Sequence, residues 1–176
     1  MHDTMTLRQV CLQDPFISSK FLDVYGADQV PGIGGKVGGG IIDGVCCIAN
    51  TDPIEKPGQH WVAIYWLDGG TGEFFDSYAE KPSKLYGGWS TFDHFRQIPH
   101  PLQREDTDVC RDYCLYYLYR RCRGVPMKEI VRPFSYTNDQ AVLERMHYLF
   151  PQRDSGRHDS VIRQYCILKR NHEIYK

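Results

Sequence analysis

The sequence lacks the features that mark membrane, secreted and repetitive proteins. No uninterrupted apolar run approaches the ~20 residues that a membrane-spanning helix needs. Residues 1–5 form neither the basic nor the apolar part of a signal peptide, and no internal repeat or low-complexity tract is present. The composition also excludes collagen-like and disordered chains. We therefore expect a soluble globular protein that is not secreted.

An excess of charge of one sign is lacking as well, since the formal net charge is −1. Basic residues exceed acidic ones towards the C-terminus, but residues 153–176 mix both signs. This mixture favours a solvated tail over a nucleic-acid-binding surface. With 176 residues, of which 41% are hydrophobic, the chain can form a core without metal or disulfide bonds. We predict a single catalytic domain over residues 1–150 and a basic C-terminal extension over residues 151–176, packed on the domain or trailing from it.

The seven cysteines raise the main question about function. An odd number is unusual for a secreted disulfide scaffold, in which the cysteines normally pair. In a chain without a signal peptide, the thiols are expected to stay reduced. Each is then either a packing residue or a candidate nucleophile.

Hydrophobic periodicity and turn residues predict an α+β fold. A helix around Leu7 to Cys11 must end by Pro15. Three β-rich runs indicate a small mixed or antiparallel sheet, which we expect to pack on a central helix with further helices flanking it. The predicted strands are 45–49, 61–67 and 73–78. The other predicted helices are a short piece within 16–25, the central helix 109–123 capped by Asp106, Thr107 or Asp108, and a helix that starts at a capping-box spacing at 137–140 and ends before Pro151.

The glycine-rich segment 31–40 resembles a phosphate-binding loop only in composition. A P-loop needs four residues between its glycines, followed by Lys and then Ser or Thr. Here Lys36 is followed by Val37. We interpret the segment as a surface loop.

One cysteine, Cys110, lies where the predicted central helix begins. The positive end of a helix dipole favours a thiolate over a neutral thiol. Cys114 and Cys122 lie one and three turns deeper on the same apolar stripe, and Cys46 and Cys47 lie within an apolar run. Those four are typical of small buried hydrophobic residues, so Cys110 is the candidate nucleophile.

A cysteine nucleophile needs a base, and the base needs a group that orients it. His60 precedes the predicted strand 61–67, and Asp76 lies in the returning strand. Each is eight residues from Asp68, so a turn centred there places the two side chains directly opposite one another. A turn centred on Gly70 displaces them by several residues, so the pattern leaves the register open.

These residues lie within motifs that resemble the adenovirus maturation protease (adenain) family. The family also occurs in Polinton/Maverick-type mobile elements and belongs to the same clan as the SUMO-specific proteases. The resemblance runs in order over roughly residues 5–150. It rests on Cys46-Cys-Ile-Ala-Asn-Thr51, Gly58-Gln-His-Trp-Val-Ala-Ile-Tyr-Trp66, Phe74-Phe-Asp-Ser-Tyr78, Gln103 seven residues before Cys110, and Cys110-Arg-Asp-Tyr-Cys114.

The resemblance implies a role for each site residue. Cys110 would be the nucleophile, His60 the general base paired with it, and Asp76 the group that orients the imidazolium. The side-chain amide of Gln103 and the backbone N–H of Cys110 would form the oxyanion hole. Trp61 would pack over the catalytic pair and line the substrate groove. No metal has a part in this chemistry.

The function that the resemblance implies is that of a cysteine endopeptidase. We expect cleavage after Gly in Gly-Gly or Gly-x-Gly contexts of protein substrates, for example capsid precursors of a virus or mobile element. We expect a monomer without a membrane partner, located in the host nucleus or cytoplasm and in the virion. Family members are activated by a short viral peptide and by DNA, and the near-zero net charge argues against DNA here. No cysteine lies between Cys47 and Cys110, so the disulfide that tethers such a peptide cannot form at the matching place.

Two departures keep alternatives open. Arg111 follows the nucleophile where family members commonly have Gly, which is compatible with an inactive, protease-like binding subunit. Asp76 stands where adenoviral enzymes have Glu, a change that relatives in the clan tolerate. A deconjugase for a ubiquitin-like modifier would use the same site on a different substrate.

Three other readings of the cysteines fit the sequence less well. A caspase-like enzyme needs Gln-Ala-Cys-x-Gly, which the residues around Cys110 lack. A papain-like enzyme needs its cysteine far upstream of the histidine, in a different local context. Zinc binding by Cys110, Cys114, Cys122 and His100 lacks the usual short paired spacings.

Overall fold

The computed structural model describes residues 2–32, 44–67 and 70–150, with side chains from Thr6 onwards. Most of the glycine-rich segment and the whole C-terminal extension lie outside these residues. The helices are α1 (His2–Gln13), α2 (Pro15–Ser18), α3 (Pro82–Leu85), α4 (Cys110–Arg121), α5 (Met127–Val131) and α6 (Ala141–Leu149). The strands are β1 (Phe21–Tyr25), β2 (Val45–Asn50), β3 (Trp61–Trp66) and β4 (Gly72–Phe75), and 3₁₀ turns occupy Ala27–Gln29 and Gly87–Phe92.

The four strands form one mixed sheet in the order β1-β2-β3-β4. β1 runs parallel to β2, whereas β2, β3 and β4 pair antiparallel to their neighbours. This arrangement confirms the predicted α+β fold and the three predicted strands, of which the third is shorter than predicted. Asp76 consequently follows β4 instead of lying within it.

The prediction of a helical piece within residues 16–25 is wrong beyond its first turn. Asp14 caps α2 by accepting hydrogen bonds from the backbone N–H groups of Phe16 and Ile17, both at 3.0 Å. Pro15 at the first helical position suits this start. The chain then turns into β1, because Phe21 and Val24 bury their side chains against the sheet's main core.

Both faces of the sheet are buried, as the alternation of side chains along its strands requires. One face packs on α4 and the other helices, and this larger core includes Cys46, Ile48, Ala63, Tyr65 and Phe75. The opposite face packs under the 3₁₀ segment and the loop after it, through Cys47, Ala49, Val62, Ile64, Phe74, Trp89 and Phe92. The sheet is therefore a rigid inner layer between two apolar layers.

α4 is the central helix, with its residues buried from Cys110 to Leu118 except Arg111. It begins after Val109 without a side-chain cap, so the predicted capping by Asp106, Thr107 or Asp108 is wrong. Its last turn carries Arg120 and Arg121, and Gly124 follows it with positive φ (83°), as predicted.

The C-terminal half of the described chain differs from the prediction in two details. α5 is an additional short helix, which begins after Pro126. α6 begins at Ala141 without a side-chain cap, so the capping box at 137–140 does not form. The Thr137 hydroxyl instead lies 3.0 Å from that of Ser135. Among the described residues, no helix combines the length and apolarity needed to cross a membrane.

Candidate active site

His60 and Asp76 meet at one end of the sheet. His60 directly precedes β3 and Asp76 directly follows β4, and antiparallel pairing places those two ends side by side. The observed ladder pairs Ala63 with Phe75, so its continuation sets Asp76 opposite Val62. Of the registers that the sequence left open, the observed one is centred on residue 69, between a turn at residue 68 and a turn at residue 70, so His60 and Asp76 are not directly opposed. The side chains meet diagonally instead, with His60 Nε2 2.5 Å from Asp76 Oδ1.

The Asp76 carboxylate is held by the turn that follows it. Its Oδ1 accepts from the backbone N–H of Tyr78 at 3.1 Å, and its Oδ2 accepts from that of Glu80 at 2.8 Å. Ala79, between them, has φ 58°, and it is the only non-glycine residue with positive φ in the described part of the chain. A strained residue at this place indicates that the turn is shaped to orient the carboxylate.

We expect Ala79→Val to destabilise the protein by about 1–2 kcal/mol, because a β-branched side chain is strained at positive φ. Ala79→Gly should keep the stability within about 1 kcal/mol of wild type, because glycine adopts positive φ without strain. Urea unfolding of wild type, Ala79→Val and Ala79→Gly measures the order of their free energies of unfolding. A valine variant as stable as the glycine variant would contradict the strain.

Cys110 lies at the first position of α4, and its thiol is near enough to the His60 imidazole to raise the pKa of that ring. Because Asp76 occupies Nε2, Nδ1 is the ring nitrogen left for the thiol. Both residues are nearly buried, with exposed fractions of 2% for Cys110 and 9% for His60. As the first residue of the helix, Cys110 has a backbone N–H that the helix itself does not use.

The surroundings of His60 favour its charged form. Burial alone would lower the pKa of the imidazole, but the hydrogen bonds with Asp76 and Cys110 outweigh burial and raise it to about 9. An imidazolium beside a thiol favours the thiolate, which is the nucleophilic form of cysteine. The cluster can therefore hold a protonated imidazole beside Cys110 at neutral pH.

Any hydrolytic rate that depends on the His60 imidazolium should fall as the pH rises through about 9, because the imidazolium then loses its proton. Asp76→Asn removes a negative charge that stabilises the imidazolium. The alkaline limb of the profile should therefore move to lower pH by about 1 unit or more. A pH–rate series on both proteins measures this shift. An unmoved limb, or one moved upwards, would contradict the role of Asp76.

Gln103 lies beside this pair in a fixed orientation. Its Oε1 accepts from the Ser77 hydroxyl at 2.7 Å, and its Nε2 donates to the Thr107 carbonyl at 2.6 Å and to the Tyr78 hydroxyl at 3.1 Å. The Thr107 carbonyl can only accept, so the amide cannot be reversed. Gln103 itself is 1% exposed.

The loop that carries Gln103 is fixed by a buried carboxylate that the sequence analysis missed. Asp139 accepts from the Thr107 hydroxyl at 2.6 Å and from the Arg104 N–H at 3.1 Å. Its backbone carbonyl accepts from the Tyr113 hydroxyl of α4 at 2.8 Å. No local pattern indicated this role for Asp139, because it lies within the capping-box spacing predicted at 137–140.

Trp61 and Arg111 complete the set of residues singled out from the sequence. Trp61 is 6% exposed and belongs to the same apolar cluster as Cys110, so it lies close to the site without being open to solvent. Its contact with substrate stays a prediction. Arg111 lies in the first turn of α4, where the helical backbone suits any L-residue, and its guanidinium is 3.7 Å from Asp108. The backbone at this place therefore does not need the glycine found in the family.

The other described cysteines have surroundings typical of packing residues. Burial raises the pKa of the Cys11, Cys47 and Cys114 thiols above the ordinary range. Cys46 and Cys122 lie with their sulfur atoms 3.9 Å apart across the main core. Within the described ranges, no group of three or more His, Cys, Asp or Glu side chains is arranged to hold a metal ion.

Comparisons with known proteins bear on the fold. No protein-family model and no curated protein matches the sequence. A solved structure does match. The chain shares the fold of the ASFV pS273R protease. The TM-score is 0.50 at 17% sequence identity, and the match covers 80% of this chain and 65% of that protease.

Proposed function

We propose that this chain is a cysteine endopeptidase in which Cys110 is the nucleophile. The observation that carries the proposal is the chain of contacts from Cys110 to His60 to Asp76. The shared fold with the ASFV pS273R protease supports it. The backbone N–H of Cys110, which begins α4, supplies a donor next to the same sulfur.

The geometry suits acyl transfer in two steps. The Cys110 thiolate attacks the scissile carbonyl carbon, and the carbonyl electron pair moves onto the oxygen. The C–N bond then breaks as the His60 imidazolium gives its proton to the leaving amine, and the acyl group stays on Cys110 as a thioester. His60 next takes a proton from water, whose oxygen attacks the thioester; the C–S bond breaks, the acid is released and the Cys110 thiolate is restored. Asp76 keeps the imidazole oriented throughout.

We propose that the residue before the scissile bond is Gly. Cys110 and His60 are almost buried, so a substrate carbonyl must approach the sulfur closely along a narrow path. Gly has no Cβ and lets the peptide backbone come nearest to the protein. By the family resemblance, the natural substrates are capsid precursors with Gly-Gly or Gly-x-Gly sites.

Matched fluorogenic peptides test the reaction and its selectivity. One peptide carries Gly before the scissile bond, and its partner carries Ala at that position. We expect kcat/KM to be at least ~100-fold higher for the Gly peptide, since a single misplaced methyl group prevents the close approach. Equal rates would contradict the glycine selectivity.

Protein substrates separate the maturation role from the alternative of a deconjugase. Purified protein is incubated with capsid precursors that contain Gly-Gly or Gly-x-Gly sites and, in parallel, with conjugates of a ubiquitin-like modifier. We expect cleavage of the precursors at those sites. If only the conjugates are cleaved, the maturation role is overturned. If folded protein cleaves neither substrate, the proposed endopeptidase activity is overturned.

A further inference from the structure

Tyr78 lies against the candidate catalytic pair, although no role was predicted for it from the sequence. Its ring packs on the His60 imidazole with centroids 4.6 Å apart and an interplanar angle of 36°. Its backbone N–H donates to Asp76. Tyr78 thus contacts two members of the site, and its hydroxyl contacts a third residue, Gln103.

The Tyr78 hydroxyl accepts a hydrogen bond from one of the two side-chain N–H groups of Gln103. A primary amide has two N–H groups, and the other is directed at the Thr107 carbonyl at 2.6 Å. The Ser77 hydroxyl fixes the amide oxygen on the opposite side. Gln103 therefore has no free side-chain N–H for a substrate unless its hydrogen bond to Tyr78 breaks.

We propose that the Tyr78 hydroxyl donates the side-chain hydrogen bond to the oxyanion, while Gln103 holds that hydroxyl in place. The proposal rests on the proposed function and deepens it. A hydroxyl that accepts from an amide N–H keeps its own hydrogen for a second partner, and such chains of hydrogen bonds strengthen one another. When the Cys110 sulfur bonds to the carbonyl carbon, the C=O electron pair moves onto the oxygen. Tyr78 and the backbone N–H of Cys110 then donate to that oxygen without losing their protons.

The electrostatic surroundings keep Tyr78 in its donor form. Burial, together with the negative charges of Cys110 and Asp76, raises the pKa of the Tyr78 hydroxyl above its ordinary value of 10.0. The hydroxyl therefore stays protonated over the pH range in which the His60 imidazole is protonated.

Tyr78→Phe removes the hydroxyl and keeps the ring on His60. We expect kcat/KM for the Gly peptide to fall roughly 10- to 100-fold, mostly in kcat, somewhat less than the ~10²–10³ typical of a lost oxyanion donor because the freed Gln103 N–H takes over in part. Inhibition by a peptide aldehyde, whose adduct with Cys110 carries an oxyanion, should weaken by a similar factor. Alkylation of Cys110 by iodoacetamide forms no oxyanion, and its rate should stay within about 2-fold. Tyr148→Phe on α6, where the tyrosine is 84% exposed, is the matched control.

Each result decides the matter. An unchanged kcat/KM would overturn the role of Tyr78, and an increase would show that the hydroxyl blocks Gln103 instead of assisting it. A parallel loss of iodoacetamide reactivity would place the effect on the Cys110–His60 pair and overturn the oxyanion role. If wild-type protein neither cleaves the peptide nor binds the aldehyde, the proposed function itself fails, and this proposal fails with it.

Discussion

On the proposed function, we expect the Cys110→Ala substitution to abolish peptide hydrolysis. The change removes the only sulfur that the described structure places on an imidazole held by a carboxylate. Loss of a catalytic nucleophile typically lowers kcat by at least ~10⁴-fold, because the remaining groups act only as a unit with it. Steady-state hydrolysis of the Gly peptide measures the loss.

Cys114→Ala is the matched control for that experiment. Cys114 lies one turn deeper in the same helix and is 1% exposed, so the substitution removes an equally buried thiol from α4. We expect kcat/KM to stay within about 3-fold of wild type once the folded fraction is equal. Equal losses in the two variants would show that activity depends on the packing of α4 and not on a Cys110 nucleophile.

Replacing Glu73 with leucine will destabilise the fold more than other single changes outside the apolar cores. Glu73 is fully buried on β4. Its Oε2 accepts from the Tyr117 hydroxyl at 2.6 Å and from Arg121 Nε at 2.7 Å, and its Oε1 accepts from Arg96 at 3.2 Å. Tyr117 and Arg121 belong to α4, so this carboxylate fastens the helix of Cys110 to the strand that leads to Asp76.

Removing one member of a buried ion pair typically costs roughly 3–5 kcal/mol, because the other charge is left without a partner. For a domain of this size, such a loss lowers Tm by about 10 °C. Glu73→Gln keeps a hydrogen-bond acceptor and should lose less. Lys84→Gln is the control for an exposed ion pair, since Lys84 and Glu80 are 69% and 47% exposed, and it should change stability by less than about 0.5 kcal/mol. A leucine variant as stable as this control would show that Glu73 does not hold α4.

Local patterns predicted the elements that carry the site. The β-rich runs are short and apolar, and α4 carries an apolar stripe at helical spacing, so β2, β3 and α4 follow from the sequence. β1 could not be predicted in the same way, because its five residues become a strand only by pairing in parallel with β2. The register of β3 and β4 likewise depends on the turn between them, which the sequence left open between residues 68 and 70.

The residues that support the site could not be predicted from the sequence, because their contacts join positions far apart along the chain. Cys110, His60 and Asp76 were proposed from residue type and spacing, and Gln103 from the family resemblance. Asp139 acts on Thr107 across 32 positions in the sequence, and no local pattern indicates such a contact. The Ser-Tyr pair after Asp76 was visible in a motif, but its bonds to Gln103 exist only in the folded chain.

Site-directed labelling tests the central claim most directly. A peptide vinyl sulfone ending in Gly is added to folded wild-type protein and to the Cys110→Ala and His60→Ala variants, and the adducts are located by intact mass and peptide mapping. The account predicts one adduct per wild-type chain, at Cys110, none in Cys110→Ala and much slower labelling in His60→Ala. Equal labelling of wild type and Cys110→Ala, or an adduct on any of the other six cysteines, would contradict it.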